Sequence, residues 1–277
     1  MLPDREVRRP SHWSVKMKVV LFCGGLGTRL REYSETIPKP LVPIGYRPII
    51  WTLMKYYSHF GHEEFILCLG YRGDLIKKFF LNFNECISND FTLSEGATKI
   101  DLHGSDIDHW RIRFADTGLK SNIGQRLMAV RKHLDDDSVF LANYTDGLVD
   151  MKLNEYIDWF LGTDAVAAFV SVRPSHSLSG VEVEDPFVVT SIEYLSDTIW
   201  INGGYFIFRS EIFDYVRPGE ELVEEPFHRL ISERKLLTFR HPGFFGALDT
   251  LKDKKLIDDL YESGNPPWEL WNRASTD

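Results

Sequence analysis

The sequence predicts an α/β fold, a doubly wound mixed sheet with a smaller, partly antiparallel region in its second half, and three observations support this. Short apolar runs without charge recur at Val19 to Phe22, Phe65 to Leu69 and Val139 to Asn143, as expected of strands buried on both faces of a parallel sheet. Segments of helical periodicity separate them. Loops bearing glycine or aspartate follow these runs, at the carboxyl ends of strands, where open sheets of this class receive ligands.

Residues 1–15 carry charges with no apolar stretch behind them and read as a flexible extension. Residues 16–277 read as a single domain, with a first half over about 16–150 and a second over about 151–277. The first strand runs into Gly24, Gly25 and Gly27. Pro48 to Phe60 has apolar residues at helical spacing, a proline in its first turn and Gly61 as its stop. After the strand at Phe65, Gly73-Asp74 opens a helix that continues to Leu81. Residues from about Glu85 to Asp108 break the rhythm and are expected to form an insertion over the active-site edge. Arg111 to Ala115 is a strand, Ile123 to Leu134 a helix with Ser121 and Asn122 as capping candidates, and the Val139 strand leads into Tyr144-Thr145-Asp146-Gly147.

In the second half, Ala165 to Val172 is a strong strand. Val181 to Ile192 and Tyr205 to Phe208 are expected in the smaller antiparallel region. Leu222 to Arg234 and Thr250 to Tyr261 are helices, and Pro266, Pro267, Trp268 and Trp271 close the chain over a core or subunit interface.

The composition is that of a globular protein: of 277 residues, 43% are hydrophobic and 26% charged, enough for one sizeable core. A net charge of −9 argues against nucleic acid or an anionic membrane as partner, so any anionic ligand has to be drawn by a local cluster of cations. No apolar run is long enough for a membrane span, and the N-terminus is not a secretory signal. Cys23, Cys68 and Cys86 are odd in number and lack metal spacing, and two of them lie in apolar runs, which suits buried free thiols in a reducing cytoplasm.

The glycines after the first strand permit a tight turn and a close backbone approach to an anion. A Walker loop is absent, because Thr28, Arg29 and Leu30 follow Gly27 where Lys and Ser or Thr are required. A dinucleotide fingerprint fails as well, since Leu30 replaces the third glycine and no acidic residue stands near Tyr46. A turn without any ligand remains open on the glycines alone. Arg29, and Lys39 held extended between Pro38 and Pro40, favour an anion. Asp146-Gly147 is either a simple turn or a ligand-bearing one, and Asp249 either an N-cap of the last helix or a ligand. His59 and His62 lack metal spacing and read as surface residues, whereas Asp106, Asp108 and His109 read as a solvated loop.

The string Gly24-Gly25-Leu26-Gly27-Thr28-Arg29-Leu30, followed by Pro38-Lys39-Pro40-Leu41 and Gly45, resembles the signature of the sugar-1-phosphate nucleotidyltransferases. Further matches point to the glucose-1-phosphate cytidylyltransferase branch: Gly70-Tyr71-Arg72-Gly73, Asp116-Thr117-Gly118, Asp146-Gly147, Ile201-Asn202-Gly203-Gly204, Glu225-Pro226 and His241-Pro242-Gly243-Phe244.

This resemblance implies a Rossmann-like fold and transfer of a nucleoside monophosphate, CMP from CTP, to a phosphorylated acceptor such as glucose 1-phosphate. It places the nucleotide on Leu21, Cys23, Gly24, Gly25, Gly27, Thr28, Arg29 and Lys39. Arg29 is assigned to the leaving pyrophosphate, Lys39 to the α-phosphate, and Asp146 and Asp249 to Mg²⁺, with Arg29, Lys39 and Asp146 as the catalytic set. Arg126 matches a nucleotide-side arginine of the branch, with a surface helix arginine as the alternative. Asn202 and Gly203 fall on the acceptor side, and a homo-oligomer is implied.

The chain departs from the branch on that acceptor side. The branch carries a Glu-Lys-Pro segment whose lysine binds the sugar phosphate, whereas no lysine occurs here between Lys152 and Lys235. Arg173 or His176 is expected as its replacement. Another sugar phosphate, a small non-sugar phosphate or phosphonate, and a non-catalytic nucleotide-binding paralogue stay open as alternatives.

Overall fold

Alternation along the first strand decides the architecture. Val19 and Leu21 enter one apolar cluster, while Val20 and Phe22 enter a second, so β1 (Lys18–Phe22) is covered on both faces. A strand in that position must be central, and in the computed structural model of the protein it pairs in parallel with two neighbours. The structure describes residues 16–25, 36–134, 137–174, 179–184, 188–194 and 199–272. The extension at 1–15, and Gly27, Thr28, Arg29 and His176, lie outside the described residues.

A short 3-10 turn at Lys39–Leu41 leads through β2 (Pro43–Ile44) and β3 (Arg47–Pro48) into α1 (Ile49–His59). β4 (Glu64–Leu69) and α2 (Gly73–Leu81) follow, then a hairpin of β5 (Phe91–Ser94) and β6 (Lys99–Leu102). β7 (Arg111–Asp116) precedes α3 (Ile123–Val130), where Asn122 and Gln125 form a reciprocal capping box. The expected helix to Leu134 stops at Val130 and tightens into a 3-10 turn at Arg131–His133. β8 (Val139–Asn143), β9 (Gly147–Val149), α4 (Leu153–Leu161) and β10 (Ala167–Val172) complete the central region. The chain then forms β11 (Ser179–Glu184), β12 (Val188–Tyr194), β13 (Ile201–Arg209) and α5 (Ile212–Tyr215). It ends with α6 (Glu225–Ser232), β14 (Leu236–His241), β15 (Phe245–Ala247) and α7 (Leu251–Glu262).

The main sheet has seven strands in the order β14-β10-β13-β8-β1-β4-β7. All pairings are parallel except those of β13, which runs antiparallel to β8 and to β10. Tyr205 to Phe208, expected in the smaller region, is therefore a central strand of the main sheet. Its four residues are almost wholly buried and its side chains divide between the two clusters, which only a central strand allows. The separate antiparallel piece is the β11–β12 hairpin. One apolar layer packs Tyr156 and Phe160 of α4, Ile257 of α7 and Trp268 against the sheet. The other packs Leu127 and Val130 of α3 and Leu230 of α6.

Two further expectations change. His62 is buried, not a surface residue: its Nδ1 accepts the Met17 amide at 3.1 Å, and burial pushes its pKa down to about 4, which keeps the ring neutral. Asp106 is not in a solvated loop, because its side chain is 8% exposed and ion-paired with Lys55 at 2.7 Å. Ser88 of the same segment accepts from Arg47, so the insertion is fastened to α1 through Lys55 and to β3 through Arg47. Among the described residues, no helix is long and apolar enough to cross a membrane.

Candidate functional site

β8 ends at Asn143, and the turn after it is held tightly. The Asn143 Oδ1 accepts the Thr145 amide at 2.7 Å, and the Thr145 hydroxyl donates to the Phe22 carbonyl at 3.0 Å, tying this turn to the end of β1. Thr145 sits at φ +66°, a left-handed conformation that costs a β-branched residue about 1–3 kcal/mol. The strain is localised beside Asp146, and it was not readable from the residue type.

Asp146 and Asp249 are brought together by a ladder that neither neighbourhood announces. β9 pairs antiparallel with β15, matching Gly147 to Ala247, and the Leu248 amide donates to the Asp146 carbonyl at 2.7 Å. The first aspartate precedes one strand and the second follows the other, so both stand at the same end. The N-cap reading of Asp249 is replaced: Thr250 caps α7, with its side chain accepting the Asp253 amide.

Lys39 completes the cluster. Its Nζ lies 2.8 Å from Asp146 Oδ2 and 2.7 Å from Asp249 Oδ1, and the three side chains are 15%, 29% and 26% exposed. Burial alone would lower the ammonium pKa, but the two carboxylates outweigh it and hold Lys39 above the ordinary lysine value. Two carboxylates thus face one ammonium at this point, and both present hard oxygen ligands. That set fits Mg²⁺, which keeps several waters and completes its shell with substrate phosphates.

The loop after β1 rests on Arg126. This side chain is buried, which excludes the surface-helix reading, and its guanidinium donates to Gly24 O at 2.9 Å, Leu69 O at 3.1 Å and Thr117 Oγ1 at 2.7 Å. These groups follow or end β1, β4 and β7, so one cation staples three strand ends. A Cβ on Gly24 would fall 2.1 Å from Arg126 Nη1, which accounts for that glycine by packing. Among the described residues nothing lies within 4 Å of a Cβ built on Gly25. Leu21 and Cys23 are wholly buried, with the Cys23 amide donating to Cys68 O, and they support the loop from beneath.

On the other side, the Asn202 Oδ1 accepts the Gly204 amide at 2.9 Å, and Gly203 lies beside the Asp146 turn, its carbonyl 3.5 Å from a Cβ built on Gly147. Arg173 Nη1 donates to Ile199 O at 3.2 Å. The sequence reading assigned no role to Asp150 and His241, which pair at 2.8 Å; the Phe244 amide also donates to Asp150 at 2.7 Å, anchoring the segment that leads to Asp249. Burial opposes ionisation of Asp150, but the His241 contact and the Phe244 amide hold its carboxyl below the usual range. A cleft of about 550 Å³ lined by Lys18, Glu64 and Arg111 opens at the amino ends of β1, β4 and β7, opposite this site.

A family model described as nucleotidyl transferase matches residues 18–235. A glucose-1-phosphate cytidylyltransferase of Salmonella typhi is 35% identical over 92% of this chain and 100% of its own length. A mannose-1-phosphate guanyltransferase of Candida albicans is 25% identical over 86% of this chain and 62% of that protein. Among solved structures, a UTP-bound UGPase from Acinetobacter baumannii shares the fold with a TM-score of 0.64 at 15% identity, covering 93% of this chain and 97% of that one.

Proposed function

The chain belongs to the nucleotidyl transferase family, and from that premise we propose that it transfers CMP from CTP to glucose 1-phosphate in the presence of Mg²⁺, releasing pyrophosphate. The observation that carries this is the Lys39 ammonium lodged between Asp146 and Asp249 at the carboxyl edge of the sheet. The Salmonella typhi relative, a glucose-1-phosphate cytidylyltransferase, supports the choice of substrates.

An acceptor phosphate oxygen attacks the α-phosphorus, a new P–O bond forms, and the bond to the bridging oxygen breaks with its electron pair leaving on pyrophosphate. The attacking oxygen is already anionic near neutral pH, so no protein nucleophile is needed. Catalysis then consists of alignment and charge compensation. Asp146 and Asp249 would hold the metal, which when bound would neutralise phosphate charge. Lys39 supplies its ammonium to the α-phosphate. Arg29 is assigned to the pyrophosphate, and Arg126 keeps the loop that carries the backbone donors in place. The buried reduced thiols Cys23 and Cys68 support a cytoplasmic setting.

Pyrophosphate release across the ribonucleoside triphosphates and dTTP, each with Mg²⁺ and glucose 1-phosphate, tests the reading. Turnover with CTP that stops on chelation agrees with it. Turnover only with another nucleotide refutes the CTP assignment. A second acceptor class, a small phosphorylated non-sugar, is favoured by one observation, the missing lysine between Lys152 and Lys235. Turnover with CTP and such a compound, without turnover of glucose 1-phosphate, would decide for it.

A further inference from the structure

The acceptor side carries a pair of arginines that the family signature does not supply. β8, β10 and β14 run in one direction, because β10 is parallel to β14 and both β8 and β10 are antiparallel to β13. Their carboxyl ends therefore share one edge of the sheet. Asp146 follows β8, Arg173 follows β10 directly, and Arg240 is the penultimate residue of β14. Both arginines thus stand on the ligand-receiving edge, on the far side of the carboxylate cluster from the β1 loop.

The two guanidiniums meet at a single aromatic ring. Arg173 Cζ lies 4.3 Å and Arg240 Cζ 5.5 Å from the centroid of Trp200, the residue that precedes β13. Among the described residues no carboxylate pairs with either one, although acidic residues outnumber basic ones in the chain. Two like charges gathered on one ring repel each other, and the ring's quadrupole compensates only part of that cost. The register adds a second observation. Ser171 is opposite Arg240 on one neighbour and Asn202 on the other, and among the described residues its buried hydroxyl has no hydrogen-bond partner. A polar row bearing two guanidiniums without a carboxylate partner among the described residues, that of Arg240 exposed, can receive an anion with several oxygens.

We propose that Arg173 and Arg240, carried on the Trp200 ring, are the grip for the dianionic phosphoryl group of the acceptor. This rests on the nucleotidyltransferase reading and deepens it. The grip supplies from β10 and β14 the positive charge that the absent lysine would have brought. Guanidinium forks bind phosphoryl oxygens bidentately, and two of them match the two negative charges of a phosphoryl dianion.

The test measures steady-state kinetics of the wild type, Arg173→Gln, Arg240→Gln, the double variant and Arg240→Lys, with CTP against glucose 1-phosphate and a small phosphonate. Titrations of each protein with glucose 1-phosphate, the phosphonate and inorganic phosphate run alongside. The expected result is a rise in acceptor KM of about 10- to 100-fold in each Gln variant, with the CTP KM unchanged and partial recovery in Arg240→Lys. Which acceptor responds separates a sugar phosphate from a phosphonate. Unchanged acceptor KM in both Gln variants overturns the grip and leaves the transferase reading standing. If the wild type turns over no pair, that reading fails and the titrations decide: tighter binding of a phosphoryl probe by wild type than by the double variant supports the grip, and equal or absent binding overturns it. Unaltered melting temperatures of the variants show that an effect is not one of folding.

Discussion

The amide of Leu248 donates to the carbonyl oxygen of Asp146 at 2.7 Å, and this bond extends the β9–β15 ladder to the point where the two site aspartates stand side by side. Both carboxylates then share one ammonium, that of Lys39. The cluster is a charge balance in which a lysine occupies the space between two metal-ligand candidates.

Replacing Lys39 by Met removes the cation and keeps the stem. Turnover is expected to fall about 100-fold or more, since a charge aimed at the reacting phosphate is lost. Binding of Mn²⁺ without nucleotide, followed by its electron paramagnetic resonance signal, is expected to tighten because the lysine no longer competes. Weaker Mn²⁺ binding in Lys39→Met would show that the two carboxylates do not face a metal. In the wild type the raised Lys39 pKa makes its contribution to stability fully present below the ordinary lysine value, with loss only as pH climbs through the folded value above it.

Asp249 and Thr250 are adjacent but separable. Thr250→Ala removes the cap of α7 and is expected to cost about 1 kcal/mol in urea unfolding while turnover persists. Asp249→Asn leaves the cap intact and is expected to abolish metal-dependent turnover with little change in stability. The reverse pattern would return Asp249 to a purely local role.

Arg126 holds three strand ends from a buried position. Arg126→Met strands their acceptors and is expected to cost about 3 kcal/mol or more. Gly24→Ala reaches the same staple by collision, its Cβ meeting Nη1 at 2.1 Å. Chemical denaturation of both variants checks this; wild-type stability in either would mean that the guanidinium can leave its acceptors freely.

His62 makes stability depend on pH. Its folded pKa of about 4 lies below the ordinary value of 6.5, so protonation favours the unfolded chain. As pH falls from 6.5 towards 4, about 3 kcal/mol of stability is expected to disappear through this residue alone. Urea midpoints measured across that range should fall less steeply in His62→Gln than in the wild type.

The strands at Val19, Phe65 and Val139, the boundaries of α1 and α2, and the Asn122 cap were legible because each is written in local periodicity and cap chemistry. Tyr205 to Phe208 shows where that reading ends: an apolar strand carries no mark of its neighbours, and only the ladder reveals that it lies between β8 and β10. Arg126, His62 and Asp106 were misread or left open because burial of a polar group depends on partners far along the chain.

The sequence by itself determined the alternation of strands and helices, the position of the glycine-bearing loop and, through the Gly24 to Gly45 and Asp146-Gly147 motifs, the family and its candidate residues. Tertiary structure alone decided that Lys39 joins Asp146 to Asp249, that Thr250 and not Asp249 caps α7, and that Arg173 and Arg240 converge on Trp200. The reason is physical: local conformation follows from neighbouring side chains, whereas a cluster of charges exists only where the register of distant strands brings them to one edge.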